Sequence, residues 1–123
     1  MTPKSRLIKK VKVWSDAVAL KKLREYILNR DKRCVFCKRN NVILDVSHYW
    51  GRYKSAVRYN FLNCDLVCRG CHYKHENSKQ GFYRRWKIKQ LGEKGYKDLE
   101  KVYYQSKMTR REAILELMKL LKP

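Results

Sequence analysis

The sequence predicts an α+β protein, a small metal-stapled core flanked by N- and C-terminal α-helices. Three observations carry that prediction. Two Cys-x-x-Cys pairs, CVFC at residues 34–37 and CRGC at 68–71, enclose a run rich in β-branched residues at 42–48. Before that unit, apolar residues recur at helical spacing from Val18 to Ile27, and after it they do so again between Phe82 and Leu121. With 123 residues the chain is about one domain long, and so small a core is helped by a staple. The expected organisation is therefore a single domain over 1–123: a basic arm at 1–14, a helix at 15–33, the stapled core at 34–78 and a helical extension at 79–123.

Each element has its own local reason. Residues 1–13 are basic without a sustained period, as expected of an arm that can lie along phosphates. Ser15 is placed to cap a helix, with Asp16 at its positive end and Val18, Leu20, Leu23, Tyr26 and Ile27 forming a stripe as far as about Asn29. Lys21, Lys22 and Arg24 fall off that stripe, on a face that meets either solvent or a partner. KRNN at 38–41 reads as a turn, and Val42–His48 as a strand with Asp45 and Ser47 on one face and Val46 and His48 on the other. The polar and aromatic segment 49–63, with Gly51 and Asn60, predicts a long loop. Leu66 and Val67 predict a short returning strand, followed by a helix from near Cys71.

Beyond the core, Phe82, Trp86 and Leu91 predict a basic amphipathic helix broken at Gly92 and Gly95, with a further helix from Tyr96 to about Lys107. Thr109 and Glu112 form a capping-box pattern ahead of Ala113, Ile114, Leu117, Met118 and Leu121. That stripe must be buried, either on the Ser15 helix or in a homodimer interface.

Composition narrows the partner. Lys and Arg number 31 against 11 Asp and Glu, a net charge of +20, which points to a polyanion. Nine Tyr and three Trp interleaved with the basic residues favour nucleic acid over an acidic membrane surface, since rings stack on bases. The plainer alternative is a solvated basic surface. There is no apolar run of about 18 residues to span a bilayer, and the N-terminal stretch lacks the apolar centre of a signal peptide. The expected compartment is the cytoplasm, where paired cysteines bind metal more often than they form disulfides.

The cysteine spacing is the strongest chemical signal. A tetrahedral zinc ion wants four thiolate or imidazole donors, and each Cys-x-x-Cys turn offers two, so Cys34, Cys37, Cys68 and Cys71 are the expected ligands of a structural Zn²⁺. Cys64 lies outside both pairs and reads as a small buried residue. The three histidines, His48, His72 and His75, all fall in or just after this unit. His72 and His75 share one side of the expected helix. If the strand ending at His48 crosses that helix, the three rings and Asp45 converge on one pocket.

These residues resemble a known motif. A strand ending in histidine, a loop, Asn63 and then CRGCH leading a helix is similar to the HNH, or ββα-metal, nuclease motif in the cysteine-bracketed form of phage endonuclease VII. The chain resembles more closely the NinG/Rap family of lambdoid phages. The resemblance runs through the ILNRD lead at 27–31, the DVSHYWGR segment at 45–52, the RYN segment at 58–60 and the helical tail, and covers about residues 18–120. It implies a structure-specific endonuclease that cuts branched DNA, such as Holliday junctions and D-loops, in a phage-infected bacterial cell. It further implies that Asn63 braces the loop carrying the base, and that His72 binds a catalytic Mg²⁺ or Mn²⁺. Where many HNH enzymes have Asp just before the base this chain has Ser47, which leaves Asp45 as the strand-side ligand. His75 takes the place of a further ligand or a group acting on the leaving oxygen, or else is a helix-surface histidine.

The chemistry of the residues points the same way. A histidine with an ordinary pKa of about 6.5 can serve as general base near neutral pH, so His48 is the candidate. Arg52 and Arg58, with guanidinium forks that match phosphate oxygens, Lys54 beside them, and Arg84 and Arg85 on the basic helix are candidates for nucleic-acid contact. Tyr49, Trp50, Tyr53 and Tyr59 either stack at a DNA branch or pack the loop onto the core. The alternative function is a non-catalytic, zinc-stapled DNA- or RNA-binding module on the same scaffold.

Overall fold

Ser15 caps the first helix as its position predicts, its hydroxyl accepting from the Val18 amide at 3.2 Å. A computed structural model of the chain describes residues 12–76 and 81–122; residues 1–11, most of the expected basic arm, lie outside them. Helix α1 spans Asp16–Asp31 and closes on Lys32 in the left-handed region (φ 68°), whose amide donates to the Leu28 carbonyl. Its buried row is Ala19, Leu23 and Ile27, spaced by four, whereas Val18, expected on the stripe, is 39% exposed. The buried face is thus rotated toward Ala19, whose small side chain lets the neighbouring layer approach.

Strand β1 (Leu44–His48) pairs antiparallel with β2 (Cys64–Cys68), with Leu44 opposite Cys68, Ser47 opposite Asp65 and His48 opposite Cys64. β1 starts two residues later than expected. β2 is longer than the pair Leu66–Val67, and all five of its residues are buried. The connection at 49–63 is more ordered than a long loop: it contains the short helix α2 (Ser55–Arg58) and a 3₁₀ turn at Phe61–Asn63, capped by the Asn60 side chain on the Leu62 amide. Helix α3 (Arg69–Glu76) leaves β2 directly, before Cys71.

Helix α4 (Phe82–Gln105) is interrupted at Gly92 as expected, where φ 76° and ψ 164° are non-helical and open only to glycine. The expected second break at Gly95 does not occur. Helix α5 (Arg110–Leu120) begins with the full Thr109–Glu112 capping box. Its Ala113, Ile114 and Leu117 bury against Ala19, Leu23 and Ile27 of α1, with Tyr59, Cys64 and Leu66 completing the cluster. Ala113, Ile114 and Leu117 of the stripe thus pack on the Ser15 helix within the chain. No helix among the described residues is long and apolar enough to cross a membrane.

Not all of the interior is apolar. Asp65 of β2 accepts from Tyr83 Oη at 2.6 Å and from Lys87 Nζ at 2.9 and 3.1 Å, with Lys87 only 1% exposed. Lys87 thus leaves the solvent face expected of a basic helix and fastens α4 to the sheet. Burial, then the Asp65 charge, pushes the Tyr83 hydroxyl well above its ordinary pKa, so it stays a donor. Removing one partner of such a pair strands the other charge, a loss of about 3–5 kcal/mol. Lys87→Met is accordingly expected to cost that much in urea denaturation, whereas Lys89→Met, at an exposed position of the same helix, should stay within about 0.5 kcal/mol of wild type.

Candidate metal centre and adjoining pocket

The two Cys-x-x-Cys turns form matching knuckles. The Cys37 amide points at Cys34 Sγ and the Cys71 amide at Cys68 Sγ, each at 3.4 Å. Lys38, at φ 67°, turns the first knuckle back on itself through its amide to the Cys34 carbonyl, and the Val35 amide ties it to β2 through the Leu66 carbonyl. As a result the sulfurs of Cys34, Cys37, Cys68 and Cys71 all lie within 4.8 Å of one another, and those of Cys37 and Cys68 are 3.7 Å apart. Tetrahedral zinc with Zn–S bonds of about 2.3 Å sets its sulfurs about 3.8 Å apart. The cluster could therefore hold a structural metal ion such as zinc. Cys64 stays apart, fully buried among apolar side chains with its thiol pKa pushed up by burial.

Next to this centre, where the end of β1 faces α3, lies a pocket of about 440 Å³ lined by Val46, His48, Gly51, Arg52, Tyr53, Arg58 and His72. His48 Nε2 donates to the Arg58 carbonyl at 2.9 Å. The neutral ring thus carries its proton on Nε2 and keeps a lone pair on Nδ1. Burial, opposed by that carbonyl and reinforced by the charges of Arg52 and Arg58, pushes the His48 pKa down to about 4. Asp45 Oδ2 lies 3.3 Å from His72 Nδ1, and the same carboxylate receives Arg69 at 3.2 and 3.4 Å. Burial alone would raise the Asp45 pKa, but the hydrogen bonds from Arg69 and His72 outweigh it and hold the carboxyl below its ordinary range.

The loop that follows His48 is anchored from three directions. Asn63, fully buried, accepts from the Trp50 amide at 2.9 Å and donates to the Trp50 and Val57 carbonyls at 3.0 and 3.1 Å. Asp16 at the start of α1 takes both arms of the Arg58 guanidinium, at 2.9 and 2.8 Å, together with the Tyr59 hydroxyl. The Arg58 hydrogen bonds, followed by that of Tyr59, lower the Asp16 pKa to about 2. From α4, Tyr96 Oη meets Tyr49 Oη at 2.7 Å, and Tyr103 stacks on Trp50 with ring centres 5.3 Å apart.

The expected site residues divide accordingly. His48, His72, Arg52 and Arg58 come to one pocket; Asp45, expected there too, does not line it and reaches it only through its contact with His72. His75 does not join them: its ring stacks on Phe82 at 4.0 Å and meets the edge of Phe36 at 5.0 Å, so the convergence of three imidazoles is corrected to two. Three residues along α3 are enough to swing it into the aromatic cluster between the first knuckle and α4. Ser47 is buried and lies across from Asp65 rather than facing the pocket. The guanidinium of Arg58 is committed to Asp16. Lys54 is committed to α4, donating to the Tyr103 carbonyl at 3.0 Å with its ammonium over the Tyr103 ring. Arg52, Arg84 and Arg85 are exposed, Arg84 beside the Tyr96 ring. Sequence reasoning missed the anchoring role of Asp16, whose partner is 42 residues away, and the Asp65–Lys87 pair. The only local hint was an acidic residue in each otherwise basic or apolar setting.

Comparison of the chain with protein-family models, curated proteins and solved structures gives no match.

The His48 environment has a measurable consequence. Between its folded value of about 4 and its ordinary 6.5, the unfolded chain binds a proton that the folded chain refuses, so this group's contribution to stability grows as pH rises through that window and is lost toward pH 4. In an NMR titration without added divalent cation, the His48 ring resonances should move near pH 4; movement near 6.5 would show an exposed ring instead.

Proposed function

We propose that this chain is a metal-dependent DNA endonuclease of the HNH, or ββα-metal, kind, akin to the NinG/Rap family, hydrolysing phosphodiesters in branched recombination intermediates. The observation that carries the reading is the His48 ring, tethered through Nε2 to a backbone carbonyl with Nδ1 left unprotonated, in one pocket with Arg52 and His72. A general base needs an unprotonated nitrogen held in one orientation. The Arg58 carbonyl fixes both tautomer and orientation, and burial keeps the ring neutral at physiological pH. Asn63 holds the loop from Trp50 to Val57 against the start of β2, so the base cannot drift from the strand. Arg52, exposed on the pocket wall, suits a phosphate oxygen, as a guanidinium fork does generally.

Asp45 and His72 are the residues to hold a divalent cation here. Their donor atoms lie 3.3 Å apart, so a cation held by both would replace the hydrogen bond that His72 now makes to the carboxylate. Once bound, such an ion stabilises negative charge on the leaving oxygen. The rest falls to the side chains: Arg52 orients the phosphate, and His48 takes the proton from the attacking water. The four cysteines, holding zinc, do no chemistry and keep β1, β2 and α3 in register. The net charge of +20 supplies general affinity for the backbone of double-stranded or branched DNA.

One observation favours the second reading, a non-catalytic DNA- or RNA-binding module: Asp45 is shared with Arg69, a cation that competes with a metal. Cleavage separates the two. With Mg²⁺ or Mn²⁺ the wild-type chain should nick four-way-junction DNA, and His48→Ala should lose about 10²–10⁴-fold in rate while still binding the junction. Cutting by His48→Ala at the wild-type rate would remove His48 as base. Binding by both forms with cutting by neither, under any divalent metal, would select the module.

A further inference from the structure

Of the four aromatic side chains between His48 and Asn60, three are committed to the fold. Tyr49 is bonded to Tyr96, Trp50 is stacked on Tyr103, and Tyr59 is bonded to Asp16. Tyr53 is not: its side chain is 100% exposed on the wall of the pocket that holds His48, Arg52 and His72. Its neighbours are held firmly. Trp50 is clamped by Asn63 on one side, and Lys54 is fastened to the Tyr103 carbonyl on the other, immediately before α2. A bare aromatic ring is thus presented from an anchored loop, beside an exposed arginine and within a cleft of ligand-binding size.

An exposed ring of this kind gains most from an aromatic or apolar partner, and a basic cleft selects one attached to phosphate. Inside a duplex both faces of every base are covered by its neighbours. Only a base that has left the stack, at a branch point, a gap or a strand end, offers a free face. We propose that Tyr53 is a base-stacking residue, and that the pocket takes a DNA strand in which the nucleotide beside the phosphate on Arg52 has left the duplex stack. The placement of that phosphate rests on the endonuclease reading; the stacking itself does not. Tyr53 would then act as the discriminator between branched or gapped DNA and continuous duplex, with Arg52 providing the phosphate grip common to both.

The test uses the full chain in a His48→Ala background, so that no strand is cut, with 2-aminopurine placed at the unpaired position of a gapped duplex and at the same position of the continuous duplex. Stacking on Tyr53 should quench the unpaired probe, and the chain should prefer the gapped DNA. Tyr53→Ala should abolish the quenching and reduce the gapped-over-continuous affinity ratio by about 5- to 150-fold, the range of one base–aromatic stack. Tyr53→Phe should restore both. Equal quenching and an equal ratio in Tyr53→Ala would overturn the proposal. Persistence of the Tyr53 difference when the His48-containing chain cuts no DNA would refute the endonuclease reading and leave base stacking standing.

Discussion

Four cysteine sulfurs gathered within 4.8 Å are the constraint on which the rest of the molecule depends. A two-stranded sheet is marginal by itself, and β1 and β2 contribute five residues each. A cation held by the two knuckles would join the segment before β1 to the point where β2 turns into α3. With those ends pinned, the antiparallel register places His48 opposite Cys64, and the direct exit of α3 from Cys68 carries His72 to the same pocket. Shifting the register by one residue would turn His48 to the other face of the sheet.

The sheet is also held by charge. Asp65 binds Tyr83 and Lys87 in the interior, and Arg30 lies 3.7 Å from it while also donating to the Phe61 and Cys64 carbonyls. Asp16 and Arg58 repeat the device at the head of α1. The strongly basic composition therefore serves two ends. Arg24, Arg30, Lys54, Arg58 and Lys87 are spent on backbone carbonyls and carboxylates within the fold. Arg52, Arg84 and much of α4's charge remain outside, where a polyanion can reach them.

How much of this was legible depended on the range of the interaction. The zinc-type spacing, the Ser15 cap, the Thr109–Glu112 box and the break at Gly92 are written within a few residues of chain, and each is found where its pattern predicts. Arg58, Lys54 and His75 look like surface or site residues because nothing local names Asp16, the end of α4 or Phe82 as their partners. The same blindness hid Lys87, since a lysine in a basic helix reads as solvated until its buried carboxylate, 22 residues away, is known. The candidate site was half visible: the histidine on the strand and the one after the last cysteine meet, whereas the third is drawn off by aromatic packing.

We propose two metal centres with different jobs side by side, one made of thiolates and one of Asp45 and His72. Anomalous diffraction from crystals grown with Zn²⁺ and soaked in Mn²⁺ tests it most directly. The expected result is a zinc signal among Cys34, Cys37, Cys68 and Cys71 and a separate manganese signal shared by Asp45 and His72 near His48. Manganese absent from that pair, with Asp45 still held by Arg69, would contradict it.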